Sequence, residues 1–337
     1  MSEVWLNVFH GEICDINEQL QCSYDTQLGE DGCDGEQENS MTWDTFGKPI
    51  HIDPVLSLFR VLKPRITGFV VSKEIELDVL LQGYEWMSLM VYAEADREVY
   101  EAAILLLCSM TVVEEETGKS IEEMGVLEKM DANGYTVEYL LGIIGRVLIP
   151  SLVERLKQLM VACIQEQERH KFPDPQTKVS MYLNMKTSYD KYLRFRNLDG
   201  FFEGGLLLCL ASAGISGEGL TVGAMGDVIE SAIHSHDSHG IIRHFTEEDI
   251  ANMHRYAAGG MCATLERSFL HNAQVSRQVR EADIPGELKH AILNYSSCYH
   301  LFSYSNTRYG YGGPYAEAVA FNLNEKKVIN PLDSLSN

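Results

Sequence analysis

From Pro54 to Ser303, apolar residues recur at three- and four-residue steps, and that period limits the fold more than any other feature of the chain. Residues spaced this way share one face of a helix, whereas a strand changes face at every residue. Nine stretches carry the helical period: Pro54 to Val71, Glu74 to Tyr92, Arg97 to Glu116, Thr136 to Arg169, Lys178 to Arg194, Phe201 to Ala213, Val222 to His244, Glu247 to Gln274 and Gly286 to Ser303. Glycine, proline and aspartate breaks separate several of them, at Asp131 to Gly134, Pro173 to Pro175, Gly214 to Gly219 and Ile284 to Gly286. No stretch alternates as a strand would, and no segment repeats. The expected fold is all-α.

The first part of the chain differs. Glu30 to Asn39 reads EDGCDGEQEN, acidic and without apolar period, so residues 1–50 are expected to be an acidic, partly loose extension. Residues 51–320 form the expected helical domain and 321–337 a tail. With 337 residues, one large helical domain accommodates the pattern. The longest apolar run, Gly204 to Gly214, is too short to span a bilayer and suits a buried helix. The N-terminus has neither the basic start nor the apolar core of a signal peptide. Eight cysteines without CxxC pairs, several in apolar surroundings (Cys108, Cys163, Cys209, Cys262), suit reduced core thiols and a cytoplasmic protein. A net charge of −22 argues against nucleic acid or an anionic membrane as partner. An anionic substrate would need cations and a few focused arginines.

Four constellations could carry chemistry. The helix beginning near Ala95 ends in Glu114, Glu115 and Glu116, carboxylates that oppose the dipole at a helix C-terminus and suit a hard divalent cation. Next comes Arg194-Phe-Arg-Asn-Leu-Asp-Gly200, where arginines offer a planar fork for phosphate oxygens and Asp199-Gly200 marks a helix break. The third, Asp227 to His244, holds four of the chain's eleven histidines. In it Asp227, Glu230, His234 and Asp237 share one helix face, while His236, Gly240 and His244 follow a second line. The fourth is Arg308-Tyr309, beside Tyr295, Tyr299, Phe302 and Tyr304. Each has an ordinary alternative: a solvated acidic segment, an interhelical turn, a polar helix face, or a packed tail with Arg308 in water.

In their order and spacing, these four segments resemble the layout of class I terpene synthases, the all-helical cyclases of isoprenyl diphosphates, over about residues 55 to 312. The resemblance implies a single-domain helical bundle around a central apolar cavity. It implies Mg²⁺ held by Glu114, Glu115 and Asp237, and a substrate diphosphate bound by Arg196, Arg243, Arg308 and Tyr309. Arg196 would be the diphosphate sensor, Asp199 the linker, and Gly200 the residue whose carbonyl faces the reacting carbon. Phe201, Tyr299 and Phe302 would line the cavity. His236, Gly240 and His244 stand where the family carries asparagine, serine and glutamate ligands, and no D-D-x-x-D is present. The chain is most similar to the divergent fungal sesquiterpene cyclases of the humulene-forming type, which implies farnesyl diphosphate as substrate and a monomer or homodimer. Arg196→Ala would then abolish turnover with little effect on folding.

Two other readings compete. His236-Asp237 is an HD pair of the kind helical phosphohydrolases use, with His234 and His239 near it and His170 and Asp249 as further ligand candidates. A non-catalytic helical binding protein would leave the glutamates and the histidine-rich helix exposed and far apart.

Overall fold

The computed structural model describes residues 61–69, 96–115, 125–171 and 189–239, together with 274, 277–289, 291–293 and 295. Within them the fold is all-α, as the period predicts, and the ladder pairing is limited to one isolated bridge between Met130 and Thr136. Six longer helices carry the structure: α1 (Arg97–Glu115), α2 (Val137–Ile144), α3 (Pro150–Lys171), α4 (Tyr189–Asp199), α5 (Phe202–Ser212) and α6 (Val222–His239). No helix among the described residues is long and apolar enough to cross a membrane.

α5 is the centre. Its sequence, FEGGLLLCLAS, is apolar or small on every side apart from Glu203, and every one of its residues is buried. A helix with no polar face has to be surrounded. Here α1, α2, α3, α4 and α6 all pack against it. The core around it draws on Ile104, Leu105 and Cys108 of α1, Leu156 and Met160 of α3, and Val228 and Ile233 of α6. Cys108, Cys163 and Cys209 are buried thiols in this core, and burial pushes the Cys108 thiol well above its ordinary range.

Local chemistry accounts for the helix ends. α2 starts at Thr136, whose hydroxyl accepts the Tyr139 N–H at 3.0 Å. α5 ends in a Schellman turn: Gly214, at φ 75°, donates to the Ala211 carbonyl, and Ile215 donates to that of Leu210. Residues 61–66 are helical and are fastened to the Asp131 turn by Arg65, whose Nε donates to Asp131 Oδ2 at 2.8 Å.

Two helix limits differ from those expected. Thr136 to Arg169 is two helices rather than one, divided at residues 145–149. Pro150 occupies the first position of α3, where its missing N–H is harmless, and a proline disfavours helical backbone at the residue before it. Ile149 turns outward from the helical ladder and donates to Ser216 O at 3.1 Å. The helix expected to stop at Arg194 continues to Asp199, so Arg196 and Asp199 lie in its final turn. The acidic extension at residues 1–50 and the tail at 321–337 are outside the described residues.

A buried arginine cluster at a helix break

One group of buried polar residues gathers where α4 meets α5 and α6. Tyr192, Arg196 and Asp199 fall at i, i+4 and i+7, which places them on one face of α4. Asp237, in the last turn of α6, comes against that face. The Arg196 guanidinium is its centre. Nε lies 2.9 and 3.2 Å from the two Asp237 carboxylate oxygens, Nη2 also donates to Asp237, and Nη1 donates to Asp199. The Tyr192 hydroxyl donates to Asp237 Oδ2, and His236 Nδ1 lies 3.1 Å from Oδ1.

This cluster is buried. Tyr192 and Asp237 are 0% exposed and Arg196 4%, while the side chains of Asp199 and His236 keep 17% and 15% at its rim. Charges so removed from water persist only when paired. Burial alone would raise the Asp237 pKa, but the Arg196 guanidinium, helped by His236, holds it far below the usual carboxylate range. Burial likewise opposes the charged form of Arg196, and Asp237 and Asp199 outweigh it, raising the arginine further above its ordinary value. Phe202 forms the floor: its ring centroid is 5.8 Å from the guanidinium carbon and 5.6 Å from the His236 ring, which meets it edge-on.

The chain then breaks. Gly200 donates to Arg196 O at 2.9 Å, closing α4, and Phe201 adopts left-handed backbone at φ 51° and ψ 31°. That conformation costs an L-residue about 1–2 kcal/mol. Two glycine approaches make room for the bend. A Cβ on Gly200 would stand 2.3 Å from the Phe202 ring, and one on Gly204 would stand 2.1 Å from the Phe201 ring. Phe201 is 6% exposed, its ring lying over Gly204.

Beside the break lies a second network. Glu203, 2% exposed in the first turn of α5, accepts from Arg155 Nε and Nη2 of α3 at 2.6 and 2.8 Å. It also accepts from Asn197 Nδ2 of α4 at 3.0 Å. The bond to Glu203 raises the Arg155 pKa.

Of the residues expected at a site, Arg196, Asp199, Gly200, Phe201, Asp237 and His236 come together. The backbone of Glu114 and Glu115 closes α1, while their side chains, with Glu116, Gly240, Arg243, His244, Tyr299, Phe302, Arg308 and Tyr309, are outside the described residues. Asp237 does not fit the expected Mg²⁺ ligand: its oxygens already accept from Arg196, Tyr192 and His236, and none faces solvent. For the alternative HD centre, His234 is buried with Nε2 3.7 Å from Glu230. Asp249 and the side chains of His170 and His239 are outside the described residues. Among the described residues no group of three or more His, Cys, Asp or Glu side chains is placed to share a metal ion.

Sequence reasoning gave Tyr192 and Asn197, which lie in the same segment as Arg196, no role, and missed Arg155 and Glu203. Glu203 had a visible signal, as a lone carboxylate in the apolar run FFEGGLLLCLA. A charge inside a helix that must be buried requires a partner. Compared with known protein families and with curated proteins, the chain matches none.

Proposed function

We propose that this chain is a class I terpene cyclase that ionises an isoprenyl diphosphate, farnesyl diphosphate in the first instance, releasing diphosphate, and cyclises the resulting carbocation, which then loses a proton to the diphosphate or water to give a humulene-like hydrocarbon. The observation that carries the reading is the Arg196–Asp199–Gly200–Phe201 break: a buried, carboxylate-held arginine in the last turn of one helix, next to a strained turn into the apolar centre of the bundle. The order of the motifs along the sequence supports it as well.

In this proposal Arg196 binds the diphosphate. Nε, Nη1 and Nη2 each donate one N–H to a carboxylate; Nη2 also lies 3.4 Å from His236 Nδ1, and Nη1 carries a second N–H for a phosphate oxygen. The fork cannot rotate away, because Asp237 and Asp199 hold it and Tyr192 fastens Asp237. A donor already oriented stabilises the charge that builds up on a leaving diphosphate without reorganisation at the moment of reaction. Asp199, at the rim, is the group an arriving anion would compete with. Apolar and aromatic walls beyond the break would keep water from the carbocation, each aromatic face contributing on the order of 0.5–2 kcal/mol of cation–π attraction. Arg243, Arg308 and Tyr309 are proposed as further diphosphate ligands and Tyr299 and Phe302 as cavity walls. Mg²⁺ is proposed to enter with the diphosphate, with Glu114 and Glu115 as its carboxylates; Asp237 holds the arginine instead.

The test is direct. Protein incubated with farnesyl diphosphate and Mg²⁺ should release a hydrocarbon into hexane, detected by gas chromatography, and EDTA should stop it. Arg196→Lys, which keeps a charge and loses the fork, should lower turnover at least ~100-fold. Absence of any hydrocarbon overturns the reading, and phosphate released from nucleotides would favour the HD hydrolase.

A further inference from the structure

Arg196, Asp199 and Gly200 are useful only if the break between α4 and α5 holds one shape, and the break lacks the usual means of doing so. α5 begins after Phe201, a left-handed residue with no side-chain acceptor for the first amides of the helix. Backbone bonds from Gly200 to Arg196 O and from Phe201 to Leu198 O close α4, but Phe201 offers α5 no side-chain cap.

Asn197 and Glu203 supply what the turn lacks. Asn197 stands three residues before Gly200 and Glu203 three residues after it. The Asn197 Oδ1 accepts the Glu203 backbone N–H at 2.9 Å, acting as a cap delivered from the preceding helix. Its Nδ2 donates to Glu203 Oε2 at 3.0 Å. The two bonds run in opposite directions across the break. Arg155 of α3 grips the same carboxylate with both Nε and Nη2, so a third helix fixes it. The carboxylate also sits in the first turn of α5, where the helix dipole favours negative charge. Asn197 adjoins Arg196 in sequence, so a shift of this clamp moves the arginine's own backbone.

We infer that Arg155, Asn197 and Glu203 form a clamp that fixes the α4–α5 break, and that Asn197 and Glu203 are thereby positioning residues for the Arg196–Asp199–Gly200 segment. The second half of the inference rests on the cyclase reading of that segment.

The experiment compares wild type with Asn197→Ala, Arg155→Met, the conservative Arg155→Lys, and, as a control on the same helix as Arg155, Lys157→Met, which removes the Lys157–Glu138 pair between α3 and α2. Each is assayed for hydrocarbon formation from farnesyl diphosphate, for thermal unfolding, and for amide exchange over residues 201–205. Asn197→Ala and Arg155→Met should lose on the order of 10- to 100-fold in kcat with KM within about threefold, the pattern of a misplaced rather than a missing binding group. Arg155→Lys should recover part of that loss and Lys157→Met should match wild type. Exchange over 201–205 should quicken at least ~10-fold in Asn197→Ala. Wild-type kcat in both clamp variants, or losses no larger than the unfolded fraction, would overturn the positioning role. If wild type itself forms no hydrocarbon, the cyclase reading fails and exchange alone decides the clamp: faster exchange upholds it, unchanged exchange overturns it.

Discussion

At the scale of single residues, the buried carboxylates Asp131, Glu203 and Asp237 are each met by an arginine, and Asp237 is the clearest case. Its carboxylate is held ionised by Arg196 in a site without solvent, and removing one member of such a pair leaves the other unmatched. Asp237→Asn should therefore cost about 3–5 kcal/mol at neutral pH, measured by urea denaturation. The cost should depend on pH in one direction. The folded Asp237 carboxyl binds its proton less tightly than the unfolded one. The contribution is therefore complete above the unfolded pKa, about 3.9, and is lost as pH falls through the lower folded value. The gap between wild type and Asp237→Asn should stay constant from about pH 7 to about pH 5 and narrow in stronger acid. A constant gap down to unfolding would remove Asp237 from the acid response. The same burial corrects one expectation from sequence: Arg196→Ala should unsettle folding as well as turnover, because it strands Asp237 and Asp199 together.

At the scale of elements, glycines decide how closely helices approach. Gly205 lies on the central helix, where a Cβ would come within 2.7 Å of the Tyr295 hydroxyl. That hydroxyl donates to Phe202 O at 2.6 Å and is buried with its ring. Gly205→Ala should force the ring away and cost about 1–3 kcal/mol. In a Tyr295→Phe background the cost should be smaller, since the nearest remaining ring atom is 3.4 Å away. An equal cost in both backgrounds would show that the hydroxyl is not the obstacle. Helix limits were partly legible in the sequence at this scale. The Asp199-Gly200 break and the Gly214 to Gly219 loop carry turn residues and stand where the composition puts them. The division between α2 and α3 had its signals too, in Gly145 and Pro150. The apolar period runs on through Val147, Leu148 and Ile149 and hides them, because Leu148 is buried and its two neighbours half-buried, as alternate faces of a helix would be.

At the scale of the molecule, α5 is the shared wall of five other helices, so damage to it should be felt by all of them. Leu207 is 0% exposed, and Leu207→Ala should cost about 2–5 kcal/mol through lost burial and a residual cavity. Val161 on α3, 38% exposed, provides the contrast: Val161→Ala should change stability by no more than about 0.5 kcal/mol. Comparable effects at both positions would argue against α5 as the organising helix. That the described residues are mostly helical, that the run from Gly204 is interior as far as Ser212, and that Asp199-Gly200 breaks a helix all followed from the sequence alone. Periodicity and breakers are local properties, and the helix is a local structure. What only the tertiary structure decided is which polar group meets which. Sequence placed Asp237 on a polar helix face and suggested a metal for it; the fold gave it Arg196, 41 residues earlier, and made Glu203, silent in the motif pattern, the partner of Arg155 and Asn197. A carboxylate spaced along a helix looks the same whether it will face a cation, an arginine or water, because spacing specifies the face and packing alone specifies what that face touches.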